Sequence, residues 1–216
     1  MPYRWLENHF FRAVRRLLNR ERGDVETAAF LDRARTHYDG LVEVLPPYRG
    51  RAERMAHELG AFGLALYRTL REDGWSEDDA VDRVARLVWE PLKMVGSMAS
   101  LYRRTPAPML LWKAMVKVAS KTVQGPPAWE YTWLEAGDAF DLGFNVTSCA
   151  YWEYFKRMGA PELGRAYCQP DVYIAERLAP AIEFQRTKTL ATGGDCCDFR
   201  YRRRRRRTEA PRDRPR

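Results

Sequence analysis

Trp129-Glu130-Tyr131-Thr132-Trp133-Leu134 and Phe140-Asp141-Leu142-Gly143-Phe144-Asn145-Val146-Thr147, joined across Gly137-Asp138, decide how this 216-residue chain is built. Apolar and polar residues alternate along both stretches. A period of two with a Gly-Asp turn between predicts a β-hairpin. On the second strand Phe140, Leu142, Phe144 and Val146 share one face, while Asp141, Asn145, Thr147 and then Cys149 share the other. The apolar face belongs against helices. The polar face is left to solvent or floors a pocket.

Upstream the period changes to that of helices. Trp5, Phe10, Phe11, Val14, Leu17 and Leu18 recur at helical spacing and stop at Gly23. Further helices are expected from Thr27 to Val44, from Arg51 to Glu72, after Ser76, and over 108–121. Ser76 with Asp79 forms a capping box ahead of the stripe Ala80, Val84, Leu87 and Val88. Downstream, Ala150 to Met158 is expected to be helical up to Gly159, and Asp171 to Leu178 forms a short helix with Asp171 as its N-cap. Glu183 to Leu190 and Cys197 to Arg202 complete the strands. The predicted class is α+β: an N-terminal helical half packed on one side of an about four-stranded antiparallel sheet with two short helices. Residues 1–125 form the helical region, 126–201 the α/β region of the same globular unit, and 202–216 a disordered arginine-rich tail.

Composition narrows the function. The net charge is +8, and ten Arg in 200–216 against Glu209 and Asp213 account for all of it, so residues 1–199 are neutral. A run of like charge repels itself and lacks apolar periodicity, which makes it a solvated tail. Any nucleic-acid association is therefore expected through the tail alone. The most apolar stretch, Met109 to Val118, is interrupted by Lys113 and Lys117, so no membrane span is expected. No secretory leader precedes Glu7, and a cytoplasmic location is the expectation.

The chemistry-bearing residues cluster late. All four cysteines, Cys149, Cys168, Cys196 and Cys197, follow residue 148, and none has C-x-x-C spacing. Thiols rather than disulfides are expected. A cysteine that ends a strand and enters a helix suits a nucleophile, because the N–H groups of the next turn stabilise a thiolate. It suits a small buried hydrophobe equally well. Cys197 runs with Phe199 and Tyr201 and reads as core, whereas Cys196 shares a face with Asp198 and is expected to be accessible. Cys149, Cys168 and Cys196 could supply three thiolates to zinc. Their spacing is that of no known finger or ribbon, so no cofactor is expected, with zinc as the alternative. The histidines, His9, His37 and His57, all lie in the helical half. Glycine-rich phosphate loops, H-E-x-x-H and G-x-S-x-G do not occur.

Phe144-Asn145-Val146-Thr147-Ser148-Cys149, then Gly159-Ala160-Pro161-Glu162-Leu163-Gly164, Cys168-Gln169-Pro170-Asp171, Phe184-Gln185-Arg186-Thr187-Lys188-Thr189-Leu190 and Gly193-Gly194-Asp195-Cys196-Cys197-Asp198-Phe199-Arg200 follow in order. This succession resembles the L-2-amino-thiazoline-4-carboxylic acid hydrolase family from about 140 to 201. The helices from about 50 to 120 fit its N-terminal half less specifically. The resemblance implies hydrolysis of a non-peptide C–N bond in a small cyclic amidine or isothiourea. It implies Cys149 as nucleophile, Asp171 as general acid/base and Cys168 in support. Asn145, Thr147 and Cys196 would contact the substrate, and Arg186 would clamp its carboxylate. The segment Thr189 to Phe199 is also similar to 4-vinyl-reductase domains, which implies a small-molecule sensing module as the alternative.

Overall fold

A computed structural model of the protein describes residues 4–204, with side chains described from Asn8 onward. Helices α1 (Arg4–Arg22), α2 (Asp24–Glu43), α3 (Arg51–Glu72), α4 (Glu77–Tyr102) and α5 (Pro108–Ala119) come first. Then come β1 (Trp129–Leu134), β2 (Leu142–Cys149), α6 (Ala150–Arg157), α7 (Leu163–Leu178), β3 (Ile182–Gln185) and β4 (Cys197–Arg203). The sheet is antiparallel throughout, in the order β1-β2-β4-β3. The α+β class is as expected from the alternation of periods.

Local signals explain most boundaries. Ser76 Oγ accepts the Asp79 N–H at 3.2 Å at the start of α4, a cap typically contributing about 1 kcal/mol. Pro108 opens α5 where its missing N–H has no intrahelical partner to lose. Gly159 closes α6 with a φ of 69°, a conformation that leaves other residues strained.

Two apolar clusters hold the layers together. Phe10, Phe30, Phe62, Leu66, Val84 and Leu87 form the helical cluster, which Tyr154, Phe155 and Leu163 join from α6 and α7. The second lies between sheet and helices, with Trp112, Trp129, Leu142, Phe144, Val146, Leu178, Phe199 and Tyr201. Tyr151 packs on both. Full burial of a side chain such as Phe155 contributes about 1.5–3 kcal/mol. One face of the sheet is thus covered. The other carries Asn145, Asp198, Arg200 and Glu183, as the pairs Asn145–Asp198 and Glu183–Arg202 require.

Three expectations need correction. The helix expected at Asp171–Leu178 begins at Leu163 and runs through Pro170, so Asp171 is an interior residue and no N-cap. Pro170 lacks the N–H that would reach the Ala166 carbonyl. Packing along α4, with Leu163, Ala166, Ala175 and Leu178 buried, outweighs that loss. The strand expected over Glu183–Leu190 ends at Gln185. There the Asp198 carboxylate accepts the N–H groups of Thr187 and Lys188, both at 2.8 Å, and takes the backbone out of the ladder. Finally, β4 extends to Arg203, into the expected tail. The rest of that tail, from residue 205, lies outside the described residues.

Candidate active site

Simple alternation misplaces Cys149. The pair Glu130–Ser148 is followed by Tyr131–Val146, so Thr147 is an extra, unpaired residue on β2. Such a bulge reverses the side to which later residues point. Directly paired residues of antiparallel strands share a face, and Cys149 pairs with Trp129 while Val146 pairs with Tyr131. Cys149 therefore lies on the covered face with Val146 and packs in the sheet cluster. Asn145 is left on the open face, its Oδ1 accepting from Arg200 at 2.9 Å. Thr147 is exposed. Neither is on the side of the thiol.

α7 supplies the next two groups. As an unbroken helix it carries Cys168 and Asp171 one turn apart on a common face. Arg186 is the next inward position after Ile182 and Phe184, although the ladder has ended. Its Nη1 donates to Asp171 Oδ2 at 2.7 Å, and its Nη2 donates to the Cys168 carbonyl at 3.3 Å. The guanidinium lies 5.5 Å from the Phe199 ring centroid. Cys168, Asp171 and Arg186 thus come together, and Cys149 lies within electrostatic reach of Cys168.

Burial is the first influence on the Asp171 carboxyl and on the two thiols, Cys149 and Cys168. Burial raises the Asp171 carboxyl to about 6, with Arg186 opposing the rise by charge and hydrogen bond. Yet 34% of the Asp171 side-chain surface remains accessible. The carboxyl is thus desolvated by its surroundings while part of its side chain keeps contact with solvent. Cys149, Tyr131, Tyr151 and Cys168 are likewise only partly covered. Burial raises Cys149 to about 11, opposed by the N–H groups of Trp152 and Tyr151 and by Trp129. These groups lean toward the sulfur without forming a side-chain cap to α6. Burial raises Cys168 to about 12, with Asp171 adding to the rise. Tyr131 and Tyr151 each feel both Cys149 and Asp171, and their phenols are driven up by burial first.

The remaining residues divide plainly. Cys196, expected to be accessible and near substrate, is only 4% exposed and belongs to neither apolar cluster. It precedes β4 beside Lys188, so the expected role does not fit its position. Cys197, taken as core, is buried, and its sulfur accepts the Leu190 N–H at 3.3 Å. It also lies within electrostatic reach of Asp171 and Arg186. His57 is buried between the rings of Tyr48 and Tyr154. Burial lowers its pKa, and no histidine is among the groups acting on Cys149. Among the described residues no three His, Cys, Asp or Glu side chains are grouped to hold a metal ion. Nor is any described helix long and apolar enough to cross a membrane. Sequence spacing missed Tyr131, Tyr151 and Tyr201 as site walls. The available signal is the run of aromatic inward positions on β1 and β4 for Tyr131 and Tyr201, and for Tyr151 its place two residues after Cys149 in the first turn of α6.

No curated protein and no solved structure matches the chain. The family model for L-2-amino-thiazoline-4-carboxylic acid hydrolase does match, over residues 54–201. That span runs from within α3 into β4 and includes Tyr131, Cys149, Tyr151, Cys168, Asp171 and Arg186. The chain belongs to the L-2-amino-thiazoline-4-carboxylic acid hydrolase family.

Proposed function

We propose that the protein opens a small cyclic amidine of the 2-amino-thiazoline-4-carboxylate type by hydrolysing its ring C–N bond, with Cys149 as nucleophile and Asp171 as proton carrier. The observation that carries this is the Asp171–Arg186 pair, 2.7 Å apart, beside Cys168, which lies within electrostatic reach of Cys149. A carboxyl at about 6 is mostly ionised at neutral pH yet takes and returns a proton readily. It is also the counter-charge that a protonated amidine needs. Arg186 offers a guanidinium to the substrate carboxylate.

The steps balance without a further reactant than water. Cys149 Sγ bonds to the amidine carbon, its proton passes to the Asp171 carboxylate, and the C=N π pair moves to the ring nitrogen. Asp171 returns the proton to that nitrogen as the C–N bond breaks. Water then adds to the same carbon, Asp171 takes its proton, and the sulfur leaves and is reprotonated, giving a carbamoyl product. In the free protein a thiol at about 11 is four units above neutral, so forming the thiolate costs about 5 kcal/mol. A cationic amidine bound beside the sulfur offsets part of that cost. The nucleophile is thereby switched on by its own substrate.

Purified protein incubated with 2-amino-thiazoline-4-carboxylate tests this by mass spectrometry of the product. Asp171→Asn and Cys149→Ser are each expected to lower turnover by about 100-fold or more. Full turnover by Cys149→Ser removes the nucleophile. Binding of the thiazoline by the wild type with no product leaves a sensing module instead.

A further inference from the structure

A second concavity, of about 510 Å³, opens between α5 and the β1–β2 hairpin. Lys113, Lys117 and Lys121 line it, with Ser120, Tyr131, Trp133 and Asp141 among the other walls. Lys113 and Lys117 lie one turn apart on α5, and Lys121 follows in the turn just beyond it. Like charges at that spacing repel, and no Asp or Glu occurs between Pro108 and Lys121 to relieve them. Among the described residues none of the three forms an ion pair. Asp141 is the single carboxylate in the wall, and its Oδ2 accepts the Arg203 N–H at 2.6 Å. Two positive charges remain uncompensated.

The aromatic wall is as specific as the charge. Trp133 is 41% exposed, and its indole lies parallel to the Tyr131 ring, with centroids 5.7 Å apart at 15°. Lys117 Nζ stands 6.0 Å from the Trp133 centroid. A flat ring is therefore offered beside point cations that suit phosphate oxygens, as lysine does. The volume lies within the roughly 300–1,000 Å³ of small-molecule sites.

We infer that this concavity binds a multiply charged anion carrying a flat ring, of nucleoside-phosphate chemistry, with the phosphates on Lys113, Lys117 and Lys121 and the ring on Trp133. The concavity is lined by residues other than Cys149, Cys168, Asp171 and Arg186, and Tyr131 is the wall residue that also lies near Cys149 and Asp171. The inference does not depend on the ring-opening reaction, because it is read from binding alone.

Equilibrium dialysis of the full chain against radiolabelled ADP tests it, with inorganic pyrophosphate as the ring-free comparison. ADP is expected to bind more tightly than pyrophosphate and to weaken steeply with salt. Lys113→Gln/Lys117→Gln/Lys121→Gln is expected to weaken ADP by at least about tenfold. Trp133→Leu is expected to weaken ADP while leaving pyrophosphate unchanged, which guards against a variant that merely folds poorly. Absence of ADP binding, binding unaffected by the lysine substitutions, or pyrophosphate bound as tightly as ADP would each overturn the inference.

Discussion

Replacing Arg186 by Met separates the desolvation of Asp171 from its compensation. The guanidinium is 10% exposed and 2.7 Å from the carboxylate, and it is what opposes burial in setting the Asp171 pKa at about 6. An adjacent Arg typically lowers an Asp by about 1–3 units. Because 34% of the Asp171 side chain is accessible, solvent screening favours the low end, about 1 unit. Without Arg186 the pKa should then move from about 6 to about 7 or higher. The unfolded chain titrates this group near 3.9. A carboxyl with a raised folded pKa loses stability as pH climbs from the unfolded to the folded value, and the loss is complete above the folded value. This contribution is thus flat above about pH 6 in the wild type, whereas Arg186→Met goes on losing stability for a further unit or more. About 1–2 kcal/mol of its destabilisation should therefore appear only between about pH 6 and pH 8. Urea unfolding of the wild type, Arg186→Met and Arg186→Met/Asp171→Asn at those two pH values measures it. The pH-dependent part should vanish in the double variant. A gap between wild type and Arg186→Met that is equal at both pH values refutes the assignment.

Ring opening by the wild type should rise as pH climbs through about 6, because Asp171 must be ionised to accept the first proton; a pH profile of kcat/KM with no inflection there would contradict the role. Thr147→Ala should leave turnover within about twofold of wild type, because its side chain is exposed on the face away from Cys149. Asn145→Ala should likewise keep turnover while costing about 0.5–1.5 kcal/mol in urea unfolding for the lost bond from Arg200. Gly63→Ala should destabilise by about 1–3 kcal/mol in thermal unfolding, because its Cβ would collide with the Tyr167 hydroxyl, which donates to the Leu59 carbonyl.

Much of the architecture is legible in the sequence because it follows from local rules. Arg51 to Glu72 and Trp129 to Leu134 are found within their expected bounds, since an uninterrupted amphipathic period needs no information from elsewhere in the chain. The Ser76 cap is legible for the same reason. What was not legible depends on partners distant in sequence. Pro170 argues for a break in α7, and only the surface of α4 makes continuation the better outcome. Asp198 stops β3 from across the sheet, and nothing between Glu183 and Leu190 announces it. Cys196 and Cys197 illustrate a third limit. Their opposite directions follow from the strand period, but the burial of Cys196 depends on the Lys188–Asp195 turn that folds beside it.

The candidate site exists because the locally expected offsets were overridden. With a regular β2, Cys149 would face the open side with Asn145 and Thr147, far from any carboxyl on α7. The extra residue at Thr147 turns the sulfur inward. With a helix beginning at Asp171, Cys168 would lie on a loop and the carboxylate would be spent on capping N–H groups, which would hold its pKa down rather than up. Continuation through Pro170 instead leaves Asp171 without backbone donors, so that Arg186 alone opposes its desolvation. Arg186 in turn reaches it only because β3 keeps its inward parity for one residue after the ladder has stopped. Each departure weakens a strand or a helix locally, and together they bring thiols, a carboxyl raised toward neutrality and a guanidinium into one neighbourhood.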